Sequence, residues 1–80
     1  GAGSPSTLSY TLSLGARVRV SILSLSGARV AKLVDRVDAA GSHTAAWDGR
    51  DDRGVRARAG IYFVRLVAGG AEPTQRIVRL

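Results

Sequence analysis

Thr44-Ala45-Ala46-Trp47-Asp48-Gly49-Arg50-Asp51-Asp52-Arg53-Gly54, with its return in Gly60-Ile61-Tyr62-Phe63-Val64-Arg65-Leu66, decides how this chain folds. The first stretch runs as a strand into a polar loop punctuated by glycine. The second is the most apolar strand in the sequence. Trp47 is the only tryptophan and stands immediately before the loop. A large ring in that place is a core anchor with a loop hung from its end. Nothing in the stretch has the pattern of a catalytic centre.

The rest of the chain repeats the strand signal. Residues 6–14 alternate strictly, with Leu8, Tyr10, Leu12 and Leu14 on one face and Thr7, Ser9, Thr11 and Ser13 on the other. Period two is the mark of a half-buried strand. Gly15-Ala16 breaks it, and residues 17–22 resume it with Val18, Val20 and Ile22 inward and Arg17, Arg19 and Ser21 outward. Leu25-Ser26-Gly27-Ala28 has the composition of a hairpin turn. In residues 29–34 Val30 and Leu33 fall out of simple alternation, which predicts a bulge or added twist. Residues 35–41 form a polar link with Val37 as its one large apolar residue. A short strand follows over 42–47. The loop over 48–58 carries Val55, placed to tuck back on the core. Residues 61–67 are a strand, 68–71 a second hairpin signal, and 74–80 the last strand, with Pro73 where a strand tolerates it. Arg29 to Val37 offers one or two helical turns at most, against which Gly27 and the β-branched valines count. Short strands separated by turn signals at this spacing predict an all-β antiparallel sandwich of two facing sheets, with about seven strands.

Composition bounds what such a fold can do. A chain of 80 residues is one domain, expected over residues 6–80 behind a tail or linker at 1–5. At this size it buries only about 60–65% of the surface exposed by the unfolded chain. It has no cysteine, so no disulfide or thiolate metal site supports it. No apolar run approaches a membrane span. Gly1-Ala2-Gly3-Ser4 lacks the charged and apolar regions of a signal peptide. The net charge is +6, and Lys32 is the only lysine. Such a field favours anionic partners without choosing among them.

Several stretches, taken together, resemble one family. These are Pro5-Ser6-Thr7 leading into an alternating strand, Val18 to Ile22 with Ser26 to Val30, and Leu33-Val34-Asp35. Ala40 to His43 with Trp47 to Gly54, and Gly60 to Leu66, complete the set. The resemblance is to the FlgD-type Ig-like domain of the flagellar hook-capping protein, which is similar to the C-terminal sorting domains of type IX secretion. The match runs in order along nearly the whole chain. Two departures stand out. The Asn-Pro-Phe-Asn-Pro lead-in of the family is reduced to Ser4-Pro5, and its Leu-Pro is replaced by Val37-Asp38-Ala39. The resemblance implies an Ig-like, fibronectin III-like β-sandwich without catalytic residues, appended to a larger exported or cell-surface bacterial protein.

Chemistry finds little support in the residues. Asp48, Asp51 and Asp52 supply clustered oxygens, yet a calcium-loop register from Asp48 puts Arg50 and Ala59 at ligand positions. Their other use is to satisfy loop amides, with Arg50 and Arg53 near enough to pair with them. His43 is the only histidine, and the serines lie on outward strand faces, so a triad is not expected. No nucleophile elbow or phosphate-cradling loop is present. The expectation is therefore no enzyme, no catalytic residue, no cofactor and no metal. Arg17 and Arg19 share one face, extended by Arg29, Lys32, Arg65, Arg76 or Arg79. This is either a solvated face that keeps sheet edges apart or a basic stripe. Without a recognition helix or interleaved aromatics it argues against nucleic acid.

Three functions remain. The first is a structural or targeting module that docks to a neighbouring domain or to export machinery. The second is a subunit that assembles with copies of itself into an extracellular fibre or sheath. The third is a module that binds anionic glycan through the arginine face.

Overall fold

The computed structural model describes residues 6–69 and 74–79. The residues expected as tail or linker, 1–5, lie outside this range, as do the second half of the second hairpin signal, Pro73 and Leu80. Six strands form among the described residues: β1 (Ser6–Leu12), β2 (Ala16–Leu23), β3 (Arg29–Asp38), β4 (Gly41–Trp47), β5 (Gly60–Ala68) and β6 (Thr74–Arg79). They build two antiparallel sheets, a small one ordered β1-β4 and a large one ordered β3-β2-β5-β6. The all-β fold is as expected. Among the described residues the strand count is six where about seven was expected; residues 48–59, read as a loop, contribute only an isolated bridge between Arg50 and Arg56.

The alternating pattern of β2 places Val18, Val20 and Ile22 wholly inside. Around them close Tyr10 of β1, Ala31 and Val34 of β3, Ala45 and Trp47 of β4, and Val64 of β5. Each face-to-face contact buries apolar surface at about 25 cal/mol per Å2. In β3 the bulge expectation holds at the two residues that carried it. Val20 pairs with Val34 and Ser21 with Lys32, leaving Leu33 over; Ile22 pairs with Ala31 and Leu23 with Arg29, leaving Val30 over.

Three expectations are corrected. β1 stops at Leu12, and Leu14 is 79% exposed. Its apolar face has no sheet opposite it once the chain turns into Gly15. Residues 35–38 are not a link but the end of β3, paired with residues 16–19 of β2. After the bulges the inward positions of β3 are Val34, Arg36 and Asp38, while Val37 points out and is 71% exposed. Asp38 stands inside, Arg36 shares its face with a half-exposed side chain, and the valine stands outside, so the hydrophobic pattern inverts and hides the strand. Val55 does not reach the core; it is 56% exposed, because the loop turns on its own hydrogen bonds.

Candidate functional site

Trp47 ends β4 and starts the loop. Its ring is 2% exposed and meets Tyr62 of β5 edge-on at 5.1 Å, a favoured aromatic geometry. The indole Nε1–H donates to the carbonyl of Arg50 at 2.9 Å. One side chain thus plugs the core and fixes the first turn of the loop. Tyr62 does the same from the other end, donating its hydroxyl to the Arg58 carbonyl at 2.7 Å.

Between these anchors the aspartates act as turn-formers. Asp48 Oδ1 accepts from the Arg50 amide at 3.0 Å. Asp51 Oδ1 accepts from the amides of Arg53 at 2.9 Å and Val55 at 3.0 Å. Gly54 takes φ +84°, a conformation that L side chains rarely adopt. Its amide donates to the Asp51 carbonyl at 2.9 Å. Arg50 does not pair with an aspartate as expected; it donates to the Gly54 carbonyl at 3.1 Å. Arg53 does pair with Asp51, at 3.4 Å. Bonds from amides, those of Val55 and Arg53 among them, hold the Asp51 carboxyl below the usual carboxylate range.

Asp52 reaches further. Its amide donates to the Val30 carbonyl at 3.0 Å, and its Oδ1 accepts the Lys32 amide at 2.8 Å. These two bonds flank Ala31 as a paired strand would, and Arg29 closes the contact on Oδ2 at 3.0 Å. β3 is the outer strand of the large sheet, so the loop clasps an edge that would otherwise be open to pairing. Asp52→Ala is expected to cost about 1 kcal/mol. Amide exchange at Lys32 should accelerate while exchange at Val20 stays as it was; unchanged exchange at Lys32 would mean that Asp52 does not hold this edge.

A second polar group was not legible as a site. Tyr10 donates to Asp38 Oδ2 at 2.5 Å, and Arg36 donates through Nε to Oδ1 at 2.6 Å. The imidazole of His43 stacks on the Tyr10 ring at 5.5 Å and lies 3.9 Å from Asp38. Its Nε2 is 2.7 Å from the Ala39 carbonyl. Asp38 is the one buried charged residue among those described. The cluster joins β1 and β4 of one sheet to β3 of the other. The sequence held one clue to it: Tyr10 falls on an inward position, and a buried tyrosine hydroxyl needs a partner. His43 serves this structural cluster, and no serine hydrogen-bonds to it among the described residues.

The arginine face is real but partly neutralised. Arg17 and Arg19 stand outward on β2 beside Lys32 and Arg65 of the neighbouring strands. Asp35 lies among them. It accepts from Arg17 Nε at 3.0 Å and Nη2 at 2.7 Å, with Arg19 at 3.6 Å and Lys32 at 3.7 Å. The Arg17 hydrogen bond is the chief cause of its lowered pKa. Arg76 and Arg79 have their side chains outside the described residues.

Comparison with known proteins places this geometry. The model of the FlgD Ig-like domain family matches residues 1–72. The crystal structure of FlgD from Xanthomonas campestris is 26% identical, with a TM-score of 0.73, over 96% of this chain and 56% of that one. FlgD from P. aeruginosa is 24% identical, with a TM-score of 0.74, over 94% of this chain and 59% of that one. The chain therefore spans little more than half the length of either structure. No curated protein sequence matches it.

Proposed function

The chain belongs to the FlgD Ig-like domain family, and from that premise we propose that it is a non-catalytic structural module of an exported or cell-surface bacterial protein. Its work is docking: it holds the protein it belongs to against a neighbouring domain, an assembly or the export machinery. The observation that carries this reading is the loop from Asp48 to Arg58. Its three carboxylates accept hydrogen bonds from amides of the module itself. Side chains committed in this way stabilise a scaffold and are not poised for a reaction or a metal ion. His43 and Asp38 are likewise bound into the joint between the sheets. FlgD of X. campestris is tied to the hook capping essential for flagellar assembly, and a scaffold role for this chain agrees with it.

Glycan binding is the weaker reading, since Arg17, Arg19 and Lys32 share Asp35. Two measurements test the docking role. Light scattering across a concentration series is expected to give a monomer throughout. Growth into large regular assemblies would instead make the domain a fibre subunit. Deleting the module from its parent protein is expected to abolish the parent's placement outside the cell. Undisturbed placement would overturn the docking role.

A further inference from the structure

β5 is apolar on both of its faces. In a two-layer antiparallel fold a strand is expected to be apolar inward and polar outward. β2 obeys, with Arg17, Arg19 and Ser21 outward. β5 does not. Its inward Tyr62, Val64, Leu66 and Ala68 line the core, and alternation turns Ile61, Phe63, Arg65 and Val67 to the other side. We propose that this outer face of the large sheet docks a separate protein whose surface sets carboxylates between apolar side chains. The inference rests on the docking role and names the surface that performs it.

Strand register assembles the face. Leu23 stands opposite Phe63, Ser21 opposite Arg65 and Arg19 opposite Val67. Directly opposite side chains of neighbouring strands meet, so Leu23 and Phe63 form an apolar pair on the far side of the sheet from Val18, Val20 and Ile22. Leu23 is 7% exposed and Ile61 39%, while Phe63 and Val67 are half-buried. At the other end of the face a hollow of about 220 Å3 is lined by Arg17, Arg19, Val67 and Gly69. Arg65 stands between the two ends. An outer face that mixes large apolar groups with fixed cations is the composition of a contact surface and not of a solvated one.

Charge says what covers it. Arg17, Arg19 and Lys32 share the carboxylate of Asp35. Arg65 has no ion pair among the described residues, and its guanidinium offers the fork that a carboxylate fits. Apolar contact at Phe63 and Val67 on either side would keep water from that pair. A sulfated or phosphorylated polymer would use the cations, meet Asp35, and leave Leu23, Phe63 and Ile61 uncovered. A second copy of this face would bring the same cations against these and be repelled. The chain enters β1 at Ser6, opposite Trp47 in the small sheet. The segment that leads in therefore arrives on the other side of the core from this face.

The test uses the full chain and a short synthetic peptide in which glutamate alternates with leucine. A second peptide has glutamine for every glutamate, and a third has serine for every leucine. The first is expected to bind saturably and to move the amide resonances of Phe63, Arg65 and Val67, and the others to bind at least about tenfold more weakly. Arg65→Glu should weaken the first peptide by at least about tenfold. Arg56→Glu makes the same change of charge at an exposed position of the loop and should leave binding as it was. Equal binding of the acidic and glutamine peptides, or equal loss in the two variants, overturns the proposal. Heparin bound more tightly than the peptide, with Phe63 unmoved, overturns the choice of a protein. Arg65→Cys places a thiol in a chain that has no cysteine. It is expected to alkylate in the purified parent protein as fast as in this chain alone. A thiol protected only in the parent would mean that the parent covers the face itself, which overturns the choice of a separate partner. Failure of the docking role reads differently: the acidic peptide would still bind, while deletion of the module would leave the parent protein in place.

Discussion

Replacing Trp47 by alanine is expected to leave the domain largely unfolded in water at room temperature. A chain of 80 residues has a total stability of about 4–12 kcal/mol at the usual value per residue. Truncating a buried tryptophan costs about 3–5 kcal/mol through lost transfer energy and the cavity left behind. Trp47 carries two further duties. Its Nε1–H holds the Arg50 carbonyl, worth about 1 kcal/mol, and its ring meets Tyr62 edge-on, worth about 0.5–1.5 kcal/mol. Together these approach or exceed the lower half of the available stability. The loop is released with the core, so the clasp on β3 goes as well. Trp47→Phe separates the roles. It keeps most of the apolar volume and loses the hydrogen bond, and should remain folded with a lower urea midpoint. Far-ultraviolet circular dichroism in urea reads both variants without relying on tryptophan emission. A Trp47→Ala midpoint within about 1 kcal/mol of the parent would mean that the anchor lies elsewhere.

The contrast between Trp47 and Asp38 shows what a sequence of this kind reveals. Strands whose inward positions are apolar announce themselves: Val18, Val20 and Ile22 lie where alternation puts them. Even the irregularity in β3 is readable, because Val30 and Leu33 break the period at the residues that bulge. The end of β3 is not, because alternation records burial only while burial is apolar. At this end the inward side is filled by the buried Asp38 and Tyr10, with Arg36 bonded to Asp38 from the surface. Such a site depends on partners 28 residues apart, and no local window contains them. The loop shows the same limit. Its turn chemistry follows from Asp and Gly, but the reach of Asp52 to Val30 and Lys32 is a property of the fold.

Asp38 gives the second large effect, expected as a stability profile with two limbs. The hydrogen bond from Tyr10 and then that from Arg36 hold its carboxyl below the usual carboxylate range. A depressed folded pKa adds stability that is complete above the unfolded value, about 3.9, and that is lost as the pH falls through the folded value. Asp35 and Asp51 are shifted in the same direction and steepen the same limb. Tyr10 acts at the other end. Burial and the bond to Asp38 push its phenol above the ordinary value of 10.0. Its contribution is complete below that value and is lost as the pH rises through the folded one, when a phenolate would face a carboxylate. Melting temperature plotted against pH should therefore be flat from about 5 to 9 and fall on both sides. Asp38→Asn should shorten the acid limb and leave that of Asp35 and Asp51. Tyr10→Phe should remove the part of the alkaline limb that belongs to the cluster and lower the plateau by roughly 5 °C. Asp38→Ala should lower the plateau further than either, because it strands the Arg36 guanidinium and the Tyr10 hydroxyl at the joint between the sheets. An acid limb in Asp38→Asn that superimposes on the parent's would show that the two sheets are not held by this carboxylate. The large effect of Asp38→Ala would then have to come from lost packing alone, and Asp38→Leu, which restores the volume without the charge, would recover it.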